Sequence, residues 1–211
     1  DASKLAFTSD ASDLVATDAN GQSDVFLRDL TAGMTALVSV NRDGTGAGNG
    51  PSSNPVVSAD GRYVVFESDA SDLAPGDTNG VTDIFLRDLR SGTTTLVSIA
   101  GTGESSGNDR SRSPVLTPDG RFVAFVSKAT NLVAGVTNVF DEVYVRDLQT
   151  GKTIWASANV MKFLAFLTVV RTPLTASYHP ALSADGRFVV FKTASSDTRQ
   201  ALILRHDLST G

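Results

Sequence analysis

Short apolar segments with alternating side chains recur along the chain, separated by polar, glycine-rich connections. Between residues 54 and 98 they read PVVSA, RYVVFES, DIFLRDL and TTTLVS. β-Branched and aromatic residues in this alternation are typical of strands rather than helices. Asp60-Gly61 follows the first segment and predicts a tight turn, because glycine adopts positive φ without a steric penalty. The pattern therefore predicts four short antiparallel strands in this stretch.

The same unit is repeated at a nearly constant period. The segments DVFLRDL, DIFLRDL and EVYVRDL place Asp29, Asp88 and Asp147 59 residues apart, and LILRHDL places Asp207 a further 60 residues on. Four-stranded units at a fixed period are typical of propeller blades, which bury both faces only when neighbouring blades flank them. We therefore predict an all-β chain that forms a partial β-propeller of about four blades.

The ends of the repeats predict two complete and two incomplete blades within a single partial propeller that spans 1–211. The approximate blades are 1–45, which lacks its inner strand, 54–98, 113–157, and 179–211, which lacks its outer strand. Four such blades leave unpaired faces and strand edges, which proteins normally cover. We expect either a fragment of a longer propeller or a homodimer that completes the ring.

Residues 159–176, NVMKFLAFLTVVRTPLTA, interrupt the repeat with an atypical apolar insert. The corresponding connections in the first two repeats are rich in glycine, serine and asparagine. The insert is interpreted either as a strand extension packed under a neighbouring blade or as an interface for a second chain. A membrane role is less expected, because Lys162 and Arg171 bracket only a short apolar run.

Composition narrows the function. The 211 residues are 41% hydrophobic and 19% charged, which suits a folded globular chain. Eighteen basic and 23 acidic side chains give a net charge of -5, which argues against nucleic acid and anionic membranes as partners. The absence of cysteine excludes disulfides, thiolate catalysis and cysteine-bound metal. No apolar run is long enough to predict a transmembrane span.

The motifs SADGRYVVF and DIFLRDLRSGTTTLVS resemble the WD40-like (PD40) propeller repeats of the TolB type. The resemblance rests on a proline, a Ser-x-Asp-Gly turn, an apolar strand that ends in phenylalanine, and a strand that ends in Asp-Leu before a glycine turn. It covers nearly the whole chain apart from 159–176 and implies a propeller in the periplasm or outside the cell. Such propellers serve as binding scaffolds, lipoprotein partners, peptidase gates or polysaccharide lyases, so the fold does not choose among these functions.

Two loops with the pattern Asp-x-Asn-Gly-x-x-Asp are candidate calcium sites, because oxygen side chains around a glycine turn resemble part of a calcium loop. Their residues are Asp18, Asn20 and Asp24 in the first repeat and Asp77, Asn79 and Asp83 in the second. The alternative interpretation is an Asn-Gly turn closed by an aspartate through backbone hydrogen bonds. The third repeat keeps Asn138 but replaces the two aspartates with Val136 and Glu142. No cofactor is required by the sequence.

A polar rim around the central channel is the best candidate binding site. His179 precedes Pro180 at the position that Asn54 and Ser113 occupy in other repeats. Arg112 and Tyr178 are expected on the same rim. In the alternative interpretation, His179 does not bind a ligand and forms a hydrogen bond to a neighbouring loop.

Residues that recur in each blade are interpreted as structural, because a catalytic centre occurs once. The repeated aspartates are expected to cap turns, and Arg28, Arg87 and Arg146 are expected to be solvated or to form ion pairs between blades. His206 is interpreted as a surface imidazole in a bulged strand.

Three functions remain open from the sequence. The leading hypothesis is a non-catalytic scaffold that binds a protein or a carbohydrate through its channel rim and loops. The alternative is a polysaccharide lyase or glycoside-cleaving propeller that uses His179 and Arg112, with a divalent metal as an option. The third is the gating propeller of a peptidase. Nucleophile-elbow, zinc-protease and phosphate-loop motifs are all absent.

Overall fold

The alternating apolar segments form strands. The computed structural model describes residues 3–137, 140–160, 175–195 and 201–210, and these residues contain fourteen strands. In chain order they are β1 (Lys4–Ser9), β2 (Asp24–Asp29), β3 (Met34–Leu37), β4 (Ser52–Val57), β5 (Tyr63–Ser68), β6 (Asp83–Asp88), β7 (Thr93–Leu96), β8 (Ser111–Leu116), β9 (Phe122–Ser127), β10 (Glu142–Asp147), β11 (Lys152–Trp155), β12 (Thr175–Leu182), β13 (Phe188–Ser195) and β14 (Ala201–Asp207).

Within the described residues, the strands form four antiparallel sheets that we call blades. Blade 1 has the order β1-β2-β3, blade 2 β4-β5-β6-β7, blade 3 β8-β9-β10-β11 and blade 4 β12-β13-β14. The register of β1 on β2 matches that of β5 on β6, so blade 1 lacks an inner strand. The register of β13 on β14 also matches that of β5 on β6, so blade 4 lacks an outer strand. The prediction of an all-β partial propeller is confirmed.

The apolar core lies between successive blades. Between blades 1 and 2, Val25 packs with Val64 and Phe66, all of them fully buried. A second cluster joins blades 2 and 3, and a third joins blades 3 and 4. Stacked ring pairs reinforce the first three blades, with centroid separations of 5.7 Å for Phe7 and Phe26, 6.0 Å for Phe66 and Phe85, and 5.9 Å for Phe125 and Tyr144. Stability is therefore shared between blades, as expected for a repeat architecture.

The Asp-Gly turn joins the inner strand to the second strand of a blade. Asp60 accepts hydrogen bonds from the Ser58 hydroxyl (2.6 Å) and the Arg62 amide (3.0 Å). Gly61 has a φ of 67°, as the turn requires. Arg62 then donates two hydrogen bonds to Asp88, at 3.0 and 2.7 Å. This pair ties the start of the second strand to the end of the third strand within one blade.

The repeated aspartates cap turns, as predicted. Asp29 Oδ1 accepts hydrogen bonds from the amides of Thr31 (2.9 Å) and Ala32 (2.8 Å). The preceding arginines are half-buried, and among the described residues they form no ion pair between blades. In each of the first three blades the arginine donates within its own blade at 3.0 Å, Arg28 to Thr35, Arg87 to Thr94 and Arg146 to Thr153. In blades 2, 3 and 4 the aspartate is instead paired with the arginine that follows the Asp-Gly turn.

Acidification is expected to weaken this pairing. The Arg121 guanidinium lowers the pKa of Asp147 to about 2. A carboxylate whose pKa is lowered in the folded state stabilises the fold above its unfolded pKa, and this contribution disappears as the pH falls through the folded value. We expect Arg121→Gln to lower the free energy of unfolding at pH 6, by less than the lowered pKa of Asp147 alone implies, because the half-exposed arginine is partly screened by solvent.

Urea unfolding of both proteins between pH 6 and pH 2.5 measures this effect. The difference between them should shrink as the pH falls below about 4, whereas the loss of the cation–π contact of Arg121 with Phe122 (4.6 Å) does not depend on pH. Arg42→Gln is the control, because Arg42 lies 4.0 Å from an exposed Asp43. A difference that stays constant across this pH range would contradict the assignment.

Blade 4 corrects the prediction for His206. Val189 pairs with His206 and Val190 with Arg205 without a register shift, so β14 has no bulge at this point. His206 occupies the place of Arg87 and is half-buried, and burial lowers its pKa. The expectation of a bulge and a surface imidazole is therefore wrong.

Two further expectations concern the apolar insert and transmembrane spans. Residues 161–174, most of the apolar insert, lie outside the described residues. In the part of the chain that the structure describes, no helix has the length and apolar character needed to cross a bilayer.

Candidate functional site

Each inner strand carries a bulge at the same place. At this place β4, β8 and β12 each contain one residue more than the paired second strand, so the register shifts. The bulged residues are Asn54, Ser113 and His179, with φ angles of 52°, 55° and 52°. Within the described residues, they are the non-glycine residues that have positive φ.

This backbone geometry is strained. A residue before proline normally adopts an extended conformation, yet all three residues precede a proline and are left-handed. Such a conformation costs about 1–3 kcal/mol and persists where the surrounding structure enforces it, often at a binding site. Its recurrence at one position in three blades marks the inner rim as a candidate site.

The three bulges line one open cavity of about 420 Å³. Its lining residues are Asn54, Pro55, Val56, Ser113, Pro114, Val115, His179 and Pro180. The amide, hydroxyl and imidazole groups can each donate and accept hydrogen bonds, and the prolines add apolar surface. No carboxylate, ammonium or guanidinium is among these described lining residues. The cavity therefore offers a ligand hydrogen-bonding groups and apolar surface, without a carboxylate, ammonium or guanidinium from the described residues.

An interblade hydrogen bond supports the central bulge. The Ser113 amide donates to Glu67 Oε1 at 2.6 Å, which joins blade 3 to blade 2. Glu67 is 8% exposed. The sequence analysis aligned Ser113 with His179 without including it in the rim, and it missed Glu67. A glutamate within the apolar strand YVVFES is an unusual position that could have signalled this role.

The structure brings together only part of the predicted rim. Asn54 and His179 line the cavity. Tyr178 lies beside it, with its ring edge-on to the His179 imidazole at a centroid distance of 5.0 Å. Arg112 does not line the cavity and donates to Asp141 Oδ2 at 2.7 Å. Arg112 therefore belongs to a separate ion pair.

The two candidate calcium loops contain the expected Asn-Gly turns. Asn20 Oδ1 accepts a hydrogen bond from the Gln22 amide (2.8 Å), and Asn79 Oδ1 accepts one from the Val81 amide (2.9 Å). The glycine after each asparagine has a φ of 67°. The turn explains the asparagine and the glycine of the motif. Asp77 also accepts a hydrogen bond from the Asn79 amide within this turn, whereas neither oxygen of Asp18 has such a partner.

The aspartates of the first loop are buried. Asp18 is 5% exposed, and neither carboxylate oxygen has a hydrogen-bond partner. Asp24 is fully buried, and its Oδ1 accepts a hydrogen bond from the Ser39 hydroxyl, whereas its Oδ2 has no partner. Burial raises the pKa of Asp24, and the nearby Asp18 charge adds to this effect.

The second loop has the same turn, but its carboxylates have protein partners. Burial raises the pKa of Asp83 to about 7, a hydrogen bond from Ser98 opposes this shift, and the Asp77 charge adds to it. Asn79 Nδ2 donates to Asp83 Oδ2 at 2.7 Å, so both oxygens of Asp83 are bonded. Asp77 Oδ1 is buried without a partner, and burial raises the pKa of Asp77, but its carboxylate accepts hydrogen bonds from the Asn79 amide and the Ser106 hydroxyl, which oppose this rise.

The third blade shows that the fold does not need these carboxylates. Val136 takes the place of Asp77 and packs into the core at 7% exposure. Glu142 takes the place of Asp83 and accepts hydrogen bonds from Trp155 Nε1 and the Ser157 hydroxyl. Asn138 lies outside the described residues. Across the described residues, no three His, Asp or Glu side chains gather closely enough to hold a metal by themselves.

Comparison with known proteins identifies the fold. No protein-family model matches the chain, and no curated protein matches it. The chain is similar to the solved structure of a TolB-type protein from Agrobacterium tumefaciens, with 19% identity and a TM-score of 0.57, over 99% of this chain and 59% of that one. The chain thus spans less than two thirds of the length of this neighbour.

Two protease structures are also similar. The propeller domain of the trilobed protease from Pyrococcus furiosus has 11% identity and a TM-score of 0.53, over 97% of this chain and 51% of that one. The tricorn protease has 16% identity and a TM-score of 0.50, over 95% of this chain and 16% of that one. Identities this low establish the fold and leave the function open. The chain therefore has the fold of the TolB-like β-propellers.

Proposed function

We propose that the protein is a non-catalytic binding propeller that holds a protein segment or a carbohydrate against the cavity lined by Asn54, Ser113 and His179. The convergence of three strained bulges on one open cavity carries this proposal. Its groups come from three blades, so a ligand at this point would contact all of them. The resemblance to TolB-type propellers supports a location in the periplasm or outside the cell.

The chemistry of the cavity favours binding over catalysis. Glycoside hydrolysis needs a pair of carboxyl groups, and general acid–base catalysis needs titratable partners within hydrogen-bond reach. In the described residues, His179 is the titratable side chain that lines the cavity, and its ring neighbour is Tyr178. The ion pair of Arg112 with Asp141 withdraws the arginine that a lyase mechanism would use.

Binding to arrays of oligosaccharides and of peptides tests this proposal. A ligand found on either array should bind His179→Ala about tenfold or more weakly, because a lost hydrogen bond of about 1–1.5 kcal/mol corresponds to this factor. His206→Ala is the matched control, since His206 does not line the cavity. The wild type should release no cleavage products from the bound ligand. Cleavage that is lost in His179→Ala would replace the binding role with an enzymatic one.

The outward faces of blades 1 and 4 support association with a second copy. Leu5 is 54% exposed, whereas Val64 at the same position of blade 2 is fully buried. Ile203 is 81% exposed, whereas the equivalent Ile84 is fully buried. Exposed apolar faces of this kind mark contact surfaces. Light scattering should give twice the chain mass of 22.1 kDa, and a monomer at all concentrations would exclude the homodimer.

A further inference from the structure

We propose that the loop containing Asp18 binds one calcium ion. The proposal rests on buried carboxylate oxygens that have no protein partner. It does not depend on the proposed binding function, because this loop lies on the connection before β2 and contributes no residue to the channel cavity.

The burial of Asp18 is the main observation. Its side chain is 5% exposed and both of its oxygens lack a hydrogen bond. An ionised carboxylate in such a place is unfavourable unless it is paired, hydrogen-bonded or bound to a metal. No arginine or lysine forms an ion pair with it among the described residues. A bound cation would supply the missing partner.

Asp24 is the second buried carboxylate of this loop. It is fully buried, its Oδ2 is also without a partner, and the charge of Asp18 acts on it. Buried carboxylates whose charges interact repel each other in the absence of a cation. A divalent ion bound by both would turn this repulsion into attraction. The second loop differs, because Asp77 and Asp83 accept hydrogen bonds from protein groups.

The donor set favours calcium among divalent ions. The side chains of the motif supply oxygen, and the chain has no cysteine. Calcium takes six to eight oxygen ligands in flexible geometry and accepts backbone carbonyls and water in addition to carboxylates. Asp18 and Asp24 would therefore be the carboxylate anchors, and backbone carbonyls and water would supply the remaining ligands. Magnesium requires near-ideal octahedral geometry, which a loop that already carries an Asn-Gly turn is less able to provide.

Blade 3 provides a natural reference for the first position of the motif. Val136 fills this position and packs in the core with Leu132 and Ala129. A valine is therefore accommodated where Asp18 and Asp77 are placed in blades 1 and 2. If Asp18 were structural, a valine at this position would destabilise the protein. If Asp18 is a calcium ligand, the valine should not lower the melting temperature in the absence of calcium.

Thermal unfolding and calorimetric titration with calcium chloride test the proposal on the full chain after EDTA treatment. Saturating calcium should raise the melting temperature of the wild type by about 5 °C or more, as expected for a ligand in roughly hundredfold excess over its dissociation constant. The titration should give one calcium ion per chain for the wild type, one for Asp77→Val, and none for Asp18→Val. Magnesium chloride at equal ionic strength should give a clearly smaller shift.

Variants in EDTA separate the metal role from a structural one. Asp18→Val should melt at the same temperature as the wild type or higher, because it removes an uncompensated carboxylate and copies Val136. Asp13→Val is the matched control, since Asp13 is exposed in the same loop, and it should keep the full calcium response. A wild type that melts at the same temperature with and without calcium would overturn the proposal. So would a calcium shift that is unchanged in Asp18→Val.

Discussion

Replacement of Phe66 by alanine is expected to lower the free energy of unfolding by about 3–5 kcal/mol, the range for a large aromatic side chain removed from a packed core. Phe66 is fully buried between blades 1 and 2 and stacks on Phe85 at a centroid distance of 6.0 Å. Deletion of the ring removes both its apolar burial and its contact with the neighbouring blade. Urea unfolding followed by circular dichroism measures the loss.

Two comparisons show whether this loss comes from packing between blades. Phe66→Leu should lower the free energy of unfolding by less than about 1.5 kcal/mol, because leucine keeps most of the buried volume. Phe7→Ala should cost less than Phe66→Ala, since Phe7 holds the same position in blade 1 but is only half-buried. Equal losses for Phe7→Ala and Phe66→Ala would contradict a core that is built between flanking blades.

Replacement of Gly120 by alanine is expected to lower the free energy of unfolding by about 2–4 kcal/mol, the sum of a left-handed backbone penalty and overpacking. Gly120 has a φ of 76°, and a Cβ atom there would lie 2.3 Å from Cδ2 of Tyr63 in the preceding blade. The turn of one blade therefore packs directly on the second strand of its neighbour. Chemical denaturation provides the measurement.

Gly103→Ala separates the two contributions. Gly103 has nearly the same φ, 78°, but no atom lies within 4 Å of the added Cβ. Gly103→Ala should therefore lower the free energy of unfolding only by the backbone penalty of about 1–2 kcal/mol. Tyr63→Ala combined with Gly120→Ala should be less destabilised than the two single losses together, because the clash is then absent. Equal costs at Gly103 and Gly120 would rule out the contact between blades.

The period of the repeat made the fold predictable. Asp29, Asp88 and Asp147 recur at intervals of 59 residues, and a four-stranded unit that cannot bury both faces alone must stack on its neighbours. Turn positions followed from Asp-Gly pairs, because these residues have strong conformational preferences. The fold class therefore depended on local chemistry and on repetition, both of which are visible in one sequence.

The candidate site was only partly predictable. The position of His179 before a proline in an inner strand led to the channel rim, where the structure places it. Arg112 lies one residue earlier than Ser113, and neighbouring residues in a strand point to opposite faces. The ion pair of Arg112 with Asp141 joins segments 29 residues apart, so sequence spacing alone gave no sign of it.

The loops show a different limit of sequence reasoning. The spacing of Asp18 and Asp24 suggested calcium, but it equally suited an Asn-Gly turn. What distinguishes the two is the burial of carboxylate oxygens without partners, which depends on the packing of blade 1 against its surroundings. Only the three-dimensional structure supplies that information.

The radial arrangement of the blades around one cavity is tested most directly by distances between spin labels. The chain has no cysteine, so introduced cysteine pairs are labelled selectively. Asn54→Cys with His179→Cys places labels on the inner strands of blades 2 and 4, and Met34→Cys with Lys152→Cys places them on the outer strands of blades 1 and 3. Both pairs are two blades apart. We expect a clearly shorter distance for the inner pair, because blades diverge from a common axis. Equal distances would indicate sheets stacked in parallel and would contradict the propeller.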